Sequence, residues 1–411
     1  MKHFNFKVMA IGLLLLSSNI LFSQIVGNAA FLKSTYVEMV VNSESGVFLT
    51  DETPPADYHF NSFYYGMVAD GDKDGWDVGT PEYCGDYFAP GSPVEGFAIQ
   101  IGSDVYVNEF QFDTDIPGEL TNYHLAAANV ASVWRGAVGE TGLAVRQITN
   151  IHHGTTNIIT RIILINKGDE PIYDIYYSRN VDPDQDVEWS GGGFGTNNIV
   201  IKNQPVDDWS LVTAEGLTYG CFLGLGSYSG SARVAYGGFS TTSLIPSDAW
   251  NGMGGHESSG EREGDEAMTL TFRVPVLNPG AIRSFIFVYG TNYDDLVDAL
   301  DFTTDEEALK LDAADIIQEG LIPANKLDFM LSPNPSNGNV LLYANGIPEF
   351  ANVNMEIYNM LGEKVHEQEI ENTGKIINKY ISINEKLQNG TYFIALKVND
   401  EKITRTVILN R

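Results

Sequence analysis

From Phe31 to Asn292 the chain repeats one pattern, a short apolar run followed by a turn rich in glycine, proline, asparagine or aspartate. The clearest runs are YVEMVV (36–41), EGFAIQI (95–101), VYVNEFQF (105–112), NIITRIILIN (157–166), PIYDIYYSRNV (171–181), MTLTFRVPV (268–276) and SFIFVYG (284–290). Runs of this length, rich in β-branched and aromatic residues and closed by turn formers, are strands rather than helices. In PIYDIYYSRNV the alternation of Tyr173, Ile175 and Tyr177 with Asp174, Tyr176 and Ser178 predicts one buried and one wet face. The fold class is therefore mainly β, a large antiparallel β-sandwich. Its size allows one large sandwich or two smaller ones. With 43% hydrophobic residues the chain has ample material for real cores, and 41 glycines suit tight turns.

Two short helices are predicted to close this region. Asn292 caps YDDLVDAL, and Thr304 with Glu307 forms a capping box opening EEALKLDAADIIQ. Gly320 and Pro323 stop that helix, and PANK makes a linker. A second set of short strands follows: 339–344, 353–359, 363–370, 379–384, 390–398 and 402–410. About 80 residues with six or seven strands has the size of an immunoglobulin-like sandwich. The expected organisation is a leader at 1–24, a sandwich at 25–292, helices and linker at 293–326, and a small C-terminal sandwich at 327–411.

The leader has Lys2 and Lys7 ahead of the apolar run Val8–Leu16, then Ser17 and Ser18 and a short end near Ser23, the pattern of a secretory signal peptide. The run is too short for a membrane span, and no later segment is long and apolar enough for one. Charge divides the remaining chain. Residues 25–325 hold 13 basic and 44 acidic residues, a net of −31, whereas 326–411 hold 9 and 10. So acidic a region repels nucleic acid and anionic membranes and suits a solvated extracellular surface or divalent cations. Cys84 and Cys221 are the two cysteines, which in an oxidising compartment permit one disulfide or stand as two buried thiols.

The C-terminal sandwich carries its own signature. SPNPSNG, MEIYNMLGEKV, INEKLQNGTYFIALKV and ITRTVILN follow in order, and together they resemble the type A C-terminal sorting domain of the bacterial type IX secretion system over residues 327–411. Pro333, Pro335 and Gly338 match the opening turn, Gly362 the hairpin glycine, and Gly390, Thr391 and Tyr392 the element that begins at Leu387. Arg405 stands where a lysine is common and keeps the charge. Physically, the prolines stop further pairing while Asn337 and Gly338 supply the turn. The resemblance implies export through the inner membrane by the leader and through the outer membrane by the folded tail. The type IX machinery is then the partner, and the acidic region is a passenger, released or attached to surface lipopolysaccharide.

Within the passenger, DGDKDGWDVG places Asp70, Asp72 and Asp74 ahead of Gly75, the first half of a calcium loop. An EF-hand needs glutamate at the twelfth position, but Pro81 stands there. A calcium site completed by Asp77 or a distant carboxylate is one reading, and a solvated acidic turn the other. In RNVDPDQDVEWSGGGFG, Asp182, Asp184 and Asp186 alternate, and Pro183 favours an extended chain with the carboxylates on one side. GGHESSGEREGDE (254–266) has Gly260 where a zinc motif needs its second histidine and reads as a mobile acidic loop. Adjacent His152 and His153 on a predicted strand edge would face opposite sides in extended geometry and could not easily share a metal.

Four of the five tryptophans, Trp76, Trp134, Trp189 and Trp250, sit in glycine-rich turns. Exposed rings on loops suit sugar binding, while rings inside a large core are the plainer explanation. No nucleophile elbow or phosphate loop occurs. The sequence therefore predicts a secreted or surface-attached protein with a binding or adhesive passenger, calcium-stabilised and carbohydrate-directed. The alternative is a polysaccharide hydrolase working through paired carboxylates.

Overall fold

The computed structural model describes residues 24–60, 62–110, 112–125, 129–203, 209–304, 327–332, 334–348, 351–370, 376–399 and 401–410. Residues 1–23 of the leader, the second expected helix with its linker, and Pro333 lie outside the described residues. Every strand ladder is antiparallel. A nine-stranded sheet runs in the order 260–264, 196–202, 210–216, 222–227, 282–290, 157–166, 143–152, 129–138 and 118–125. A six-stranded sheet takes the order 232–236, 268–277, 172–181, 95–101, 104–109 and 113–114. A four-stranded sheet of residues 24–69 precedes them. One apolar core joins all three, with Met39 and Phe48 from the first part, Phe97 and Tyr177 from the six-stranded sheet, and Trp134 and Ile162 from the nine-stranded one.

The alternation expected in strand Ile172–Val181 is not what the structure shows. Tyr173 is exposed, whereas Ile175, Tyr176 and Tyr177 are all buried. Asp174 takes a left-handed backbone (φ 48°) and is skipped by the ladder opposite Pro275, which has no amide to give, but the register is unbroken, with Tyr173 facing Val276 and Ile175 facing Val274. The alternation is lost because beyond Asp174 both faces are covered. Tyr177 stacks into the core on Phe97, and Tyr176 lies under Trp250 of the helix Pro246–Asn251. The acidic segment at 254–266 also differs from the expected loop. Gly260–Gly264 forms an edge strand on Thr196–Lys202. Its exposed GEREG sequence and the Arg262–Glu266 ion pair put charge along an edge that would otherwise invite pairing.

Asn292 caps the helix Tyr293–Phe302, its side chain accepting the Asp295 amide at 3.2 Å, as the sequence indicates. The tail is a seven-stranded sandwich of two sheets around a separate core that includes Val340, Met355, Ile394 and Leu396. Its opening turn is tied to its last strand: the Ser336 amide donates to Ile408 O at 2.8 Å, and the Asn334 side chain accepts from Ile408 N at 2.9 Å. Gly338 (φ 112°) and Gly362 (φ 78°) hold conformations that favour glycine, and the Tyr392 hydroxyl donates to Gln388 O at 2.9 Å. Met330, Leu341 and Tyr343 of the tail pack on Ile163, Ile165 and Ile282 of the nine-stranded sheet.

The centre of the large sandwich is ionic. Glu95 and Arg179, both fully buried, pair through Nε and Nη2 of the guanidinium. The guanidinium also donates to Gln147 Oε1 at 3.2 Å and lies 3.9 Å from the Phe48 ring centroid, while Glu95 accepts the Phe48 amide. Removing one partner strands the other in a dry core. Arg179→Met should therefore lower unfolding stability by about 3–5 kcal/mol, whereas Arg179→Met with Glu95→Gln should lose distinctly less. Denaturant unfolding of both variants checks this, and equal losses would contradict it.

Candidate functional site

The strand ladders bring the acidic segments to one end of the sandwich. Val181 ends its strand opposite both Glu95 and Met268. The next residue, Asp182, donates its amide to Val94 O at 2.9 Å, and Asp184 donates to Tyr87 O at 2.9 Å, so the extended segment after the strand lies along residues 87–94. Asp265 arrives from the other side, between the edge strand that ends at Gly264 and the strand that begins at Met268. One carboxylate oxygen from each of Asp182, Asp184 and Asp265 lies within 4.8 Å of the others. Asp182 and Asp184 are buried and Asp265 is exposed.

Alternation at Asp182 and Asp184 does place two carboxylates together, as the extended reading requires, but the third leaves the set. Asp186 has φ 78° and opens the one-turn helix Val187–Ser190. Its Oδ2 accepts the amides of Thr218 and Tyr219 at 3.0 and 2.7 Å. The partner that completes the trio, Asp265, belongs to the segment that reads from sequence as a mobile loop, about eighty residues away in the chain. Only the pairing of Gly264 with Thr196 and of Met268 with Val181 reveals it.

The electrostatics follow from burial. Loss of water raises the Asp182 and Asp184 carboxyls well above the ordinary carboxylate range, and repulsion within the trio raises them further. Asp265 is raised by the same desolvation. Nearby Asp86 is pushed up to about 6 by burial, although four backbone amides, those of Gly66, Met67, Phe88 and Ala89, donate to it.

Asp70, Asp72, Asp74 and Asp77 lie at the same end but behave differently. Asp70 is buried, and its Oδ2 accepts the Gly75 amide at 3.0 Å. The residue between Asp72 and Asp74, Lys73, pairs with Asp295 at 2.7 Å. Among the described residues, the acidic group whose ligand atoms converge is the Asp182 trio, not this turn.

Beside the trio stands a cluster of rings. His59 stacks on Trp76 with centroids 4.2 Å apart, Trp76 and Tyr83 are 6.0 Å apart, and Tyr83 meets Trp189 edge-on at 5.4 Å. The rings come from three segments, each anchored. Glu38 accepts the His59 amide at 2.7 Å, and the Trp76 indole donates to Thr35 O at 2.8 Å. Cys84 is disulfide-bonded to Cys221, which ties the Tyr83 segment to the 216–222 hairpin. The Tyr83 hydroxyl reaches Glu188 at 3.4 Å and is pushed up to about 12, by burial first and then by the Glu188 charge. A cleft of about 250 Å³ opens beside the rings, lined by His59, Tyr64, Asp86 and Glu188 among others.

The other loop tryptophans are elsewhere. Trp134 is fully buried, closed in by Gly46, Gly118 and Gly136, where any Cβ would strike its indole. Trp250 covers the outer face of the six-stranded sheet, with Arg233 4.5 Å from its ring. A wider cleft of about 830 Å³ lies far from this chemistry, at the seam between sandwich and tail.

Comparison with known proteins agrees on the tail. Residues 331–410 match the family described as the secretion system C-terminal sorting domain. No curated protein matches the chain by sequence. Among solved structures, a polysaccharide lyase shares 12% identity, with 94% of this chain and 47% of that one covered at a TM-score of 0.31. A bacterial glucoamylase solved with acarbose shares 11% identity, with 74% and 36% covered at a TM-score of 0.36. The chain spans less than half the length of either, and scores this low carry no argument about activity.

All four raised carboxyls bind protons more tightly folded than unfolded. Their contribution to stability is complete below the ordinary carboxylate range and is lost as pH rises, with Asp86 crossing near 6. In chelator, the urea midpoint should therefore fall between pH 5 and pH 8, and Asp182→Asn with Asp184→Asn should flatten that fall. An unchanged slope in the double variant would contradict the assignment.

Proposed function

We infer that this chain, which ends in a type IX sorting domain and is secreted or held at the cell surface, carries outward a passenger that binds carbohydrate. The observation that carries this reading is the ring cluster of His59, Trp76, Tyr83 and Trp189. Aromatic faces and edges pack against the apolar side of a pyranose, and Trp and Tyr keep a polar end for its hydroxyls. Trp189 is 37% exposed, which leaves ring surface for a ligand. Glu188 and the neighbouring cleft supply acceptors that fix orientation. The disulfide, the Glu38–His59 contacts and the Trp76–Thr35 bond hold the rings in place before a ligand arrives, which reduces the entropy lost on binding.

Binding is favoured over hydrolysis by the state of Asp86. A glycosidase needs two carboxyls free to act on the glycosidic bond, and Asp86 with Glu188 lines the cleft beside the rings. Both Asp86 oxygens, however, are committed to backbone amides: Oδ1 accepts from Met67, Phe88 and Ala89, and Oδ2 from Gly66. That pattern shapes the 86–89 turn and takes Asp86 out of a two-carboxyl mechanism. The adhesive role and surface attachment through lipopolysaccharide belong to the same reading.

Two outcomes follow. Trp189→Ala should weaken binding to a polysaccharide found on a glycan array by about tenfold or more, equivalent to about 1.4 kcal/mol, with folding unchanged by circular dichroism. Silence across the array, or full binding by the variant, would overturn the carbohydrate reading. Deleting residues 327–411 should leave the passenger in the periplasm, measured by fractionation and immunoblot. Normal amounts outside the cell after deletion would contradict tail-directed export.

A further inference from the structure

The geometry points to a calcium site formed by Asp182, Asp184 and Asp265, a site independent of the carbohydrate reading. Three oxygens, one from each residue, lie within 4.8 Å of one another. Ligands 2.3–2.6 Å from a calcium ion can stand as far as about 5 Å apart, so a single ion reaches all three. Asp182 and Asp184 are 2% and 1% exposed, yet Oδ1 of each has no hydrogen-bond partner among the described residues. No lysine, arginine or histidine forms an ion pair with any of the three there. Buried carboxylate oxygens without donors are costly, and a cation is what relieves them.

The donor set is all oxygen, which suits a hard cation and excludes the soft ligation that thiolates and imidazoles give zinc or copper. Calcium fits better than magnesium. Three carboxylates offer up to six oxygens in loose geometry, whereas magnesium demands a tight octahedron and keeps its waters. Asp265 is exposed, so water can complete the shell from outside. The surrounding field favours capture, because the region is strongly acidic. Once bound, the ion joins the segment leaving strand Ile172–Val181 to the turn that follows the edge strand Gly260–Gly264.

The test is calorimetric titration of the full mature chain, freed of metal by chelator, with calcium chloride alone. One saturable site is expected, together with a rise in melting temperature of several degrees when calcium exceeds its Kd about 100-fold. Asp265→Ala, at an exposed position that folding tolerates, should weaken calcium binding at least about tenfold. Asp182→Asn with Asp184→Asn should abolish it while remaining folded in chelator, since the substitution removes like-charge repulsion. Asp72→Ala should bind as the parent does. No heat and no thermal shift at roughly 10 mM calcium, well above the weakest extracellular sites, would overturn the proposal. So would full binding by Asp265→Ala, or loss of binding in Asp72→Ala with binding retained in the double variant.

Discussion

The buried pair of Glu95 and Arg179 sets much of what lies around it. It joins neighbouring strands of one sheet, takes a side-chain acceptor from Gln147 in the opposite sheet, and fixes the Phe48 amide from the N-terminal part. Phe48, Phe97 and Phe287 surround the guanidinium, so the charge is dry and its partners must keep their register. The acidic end inherits that register. Val181 faces Glu95 and Met268, so Asp182 and Asp265 leave neighbouring strands at matching heights. A slip of one residue would reverse the faces of Val181 and its neighbours and carry Asp182 out of the trio.

Much of the architecture is legible in the sequence. NIITRIILIN, EGFAIQI and GTYFIALKV are strands over the residues their apolar runs mark, because local pattern alone decides such segments. The tail is legible too, since its turns depend on proline and glycine at fixed places. Failures occur where tertiary context overrides local pattern. Tyr176 is buried because a helix packs on the outer face, which no alternation within PIYDIYYSRNV encodes. The segment GEREG is polar enough to read as a loop and becomes a strand because the edge at Thr196–Lys202 pairs with it.

The site was half legible for the same reason. Asp182 and Asp184 share a side because the chain stays extended through Pro183, a local property. Asp186 leaves because its backbone turns left-handed, and Asp265 joins through pairings distant in sequence. Four turn tryptophans look alike in the sequence, yet Trp134 fills a glycine-walled core and Trp250 covers a sheet face. Trp76 and Trp189 meet through Tyr83.

The charge difference between passenger and tail now has a structural counterpart. The tail is a compact sandwich whose motif residues shape its own turns, and its role is export. The passenger places acidic segments and rings at one end of a large sandwich, the end on which the proposed carbohydrate and calcium sites both lie. Anomalous scattering from crystals of the mature chain grown with calcium tests the central claim most directly. A single peak between Asp182, Asp184 and Asp265 is expected. Ordered density there with no peak, or a peak at Asp70–Asp77 instead, would contradict it.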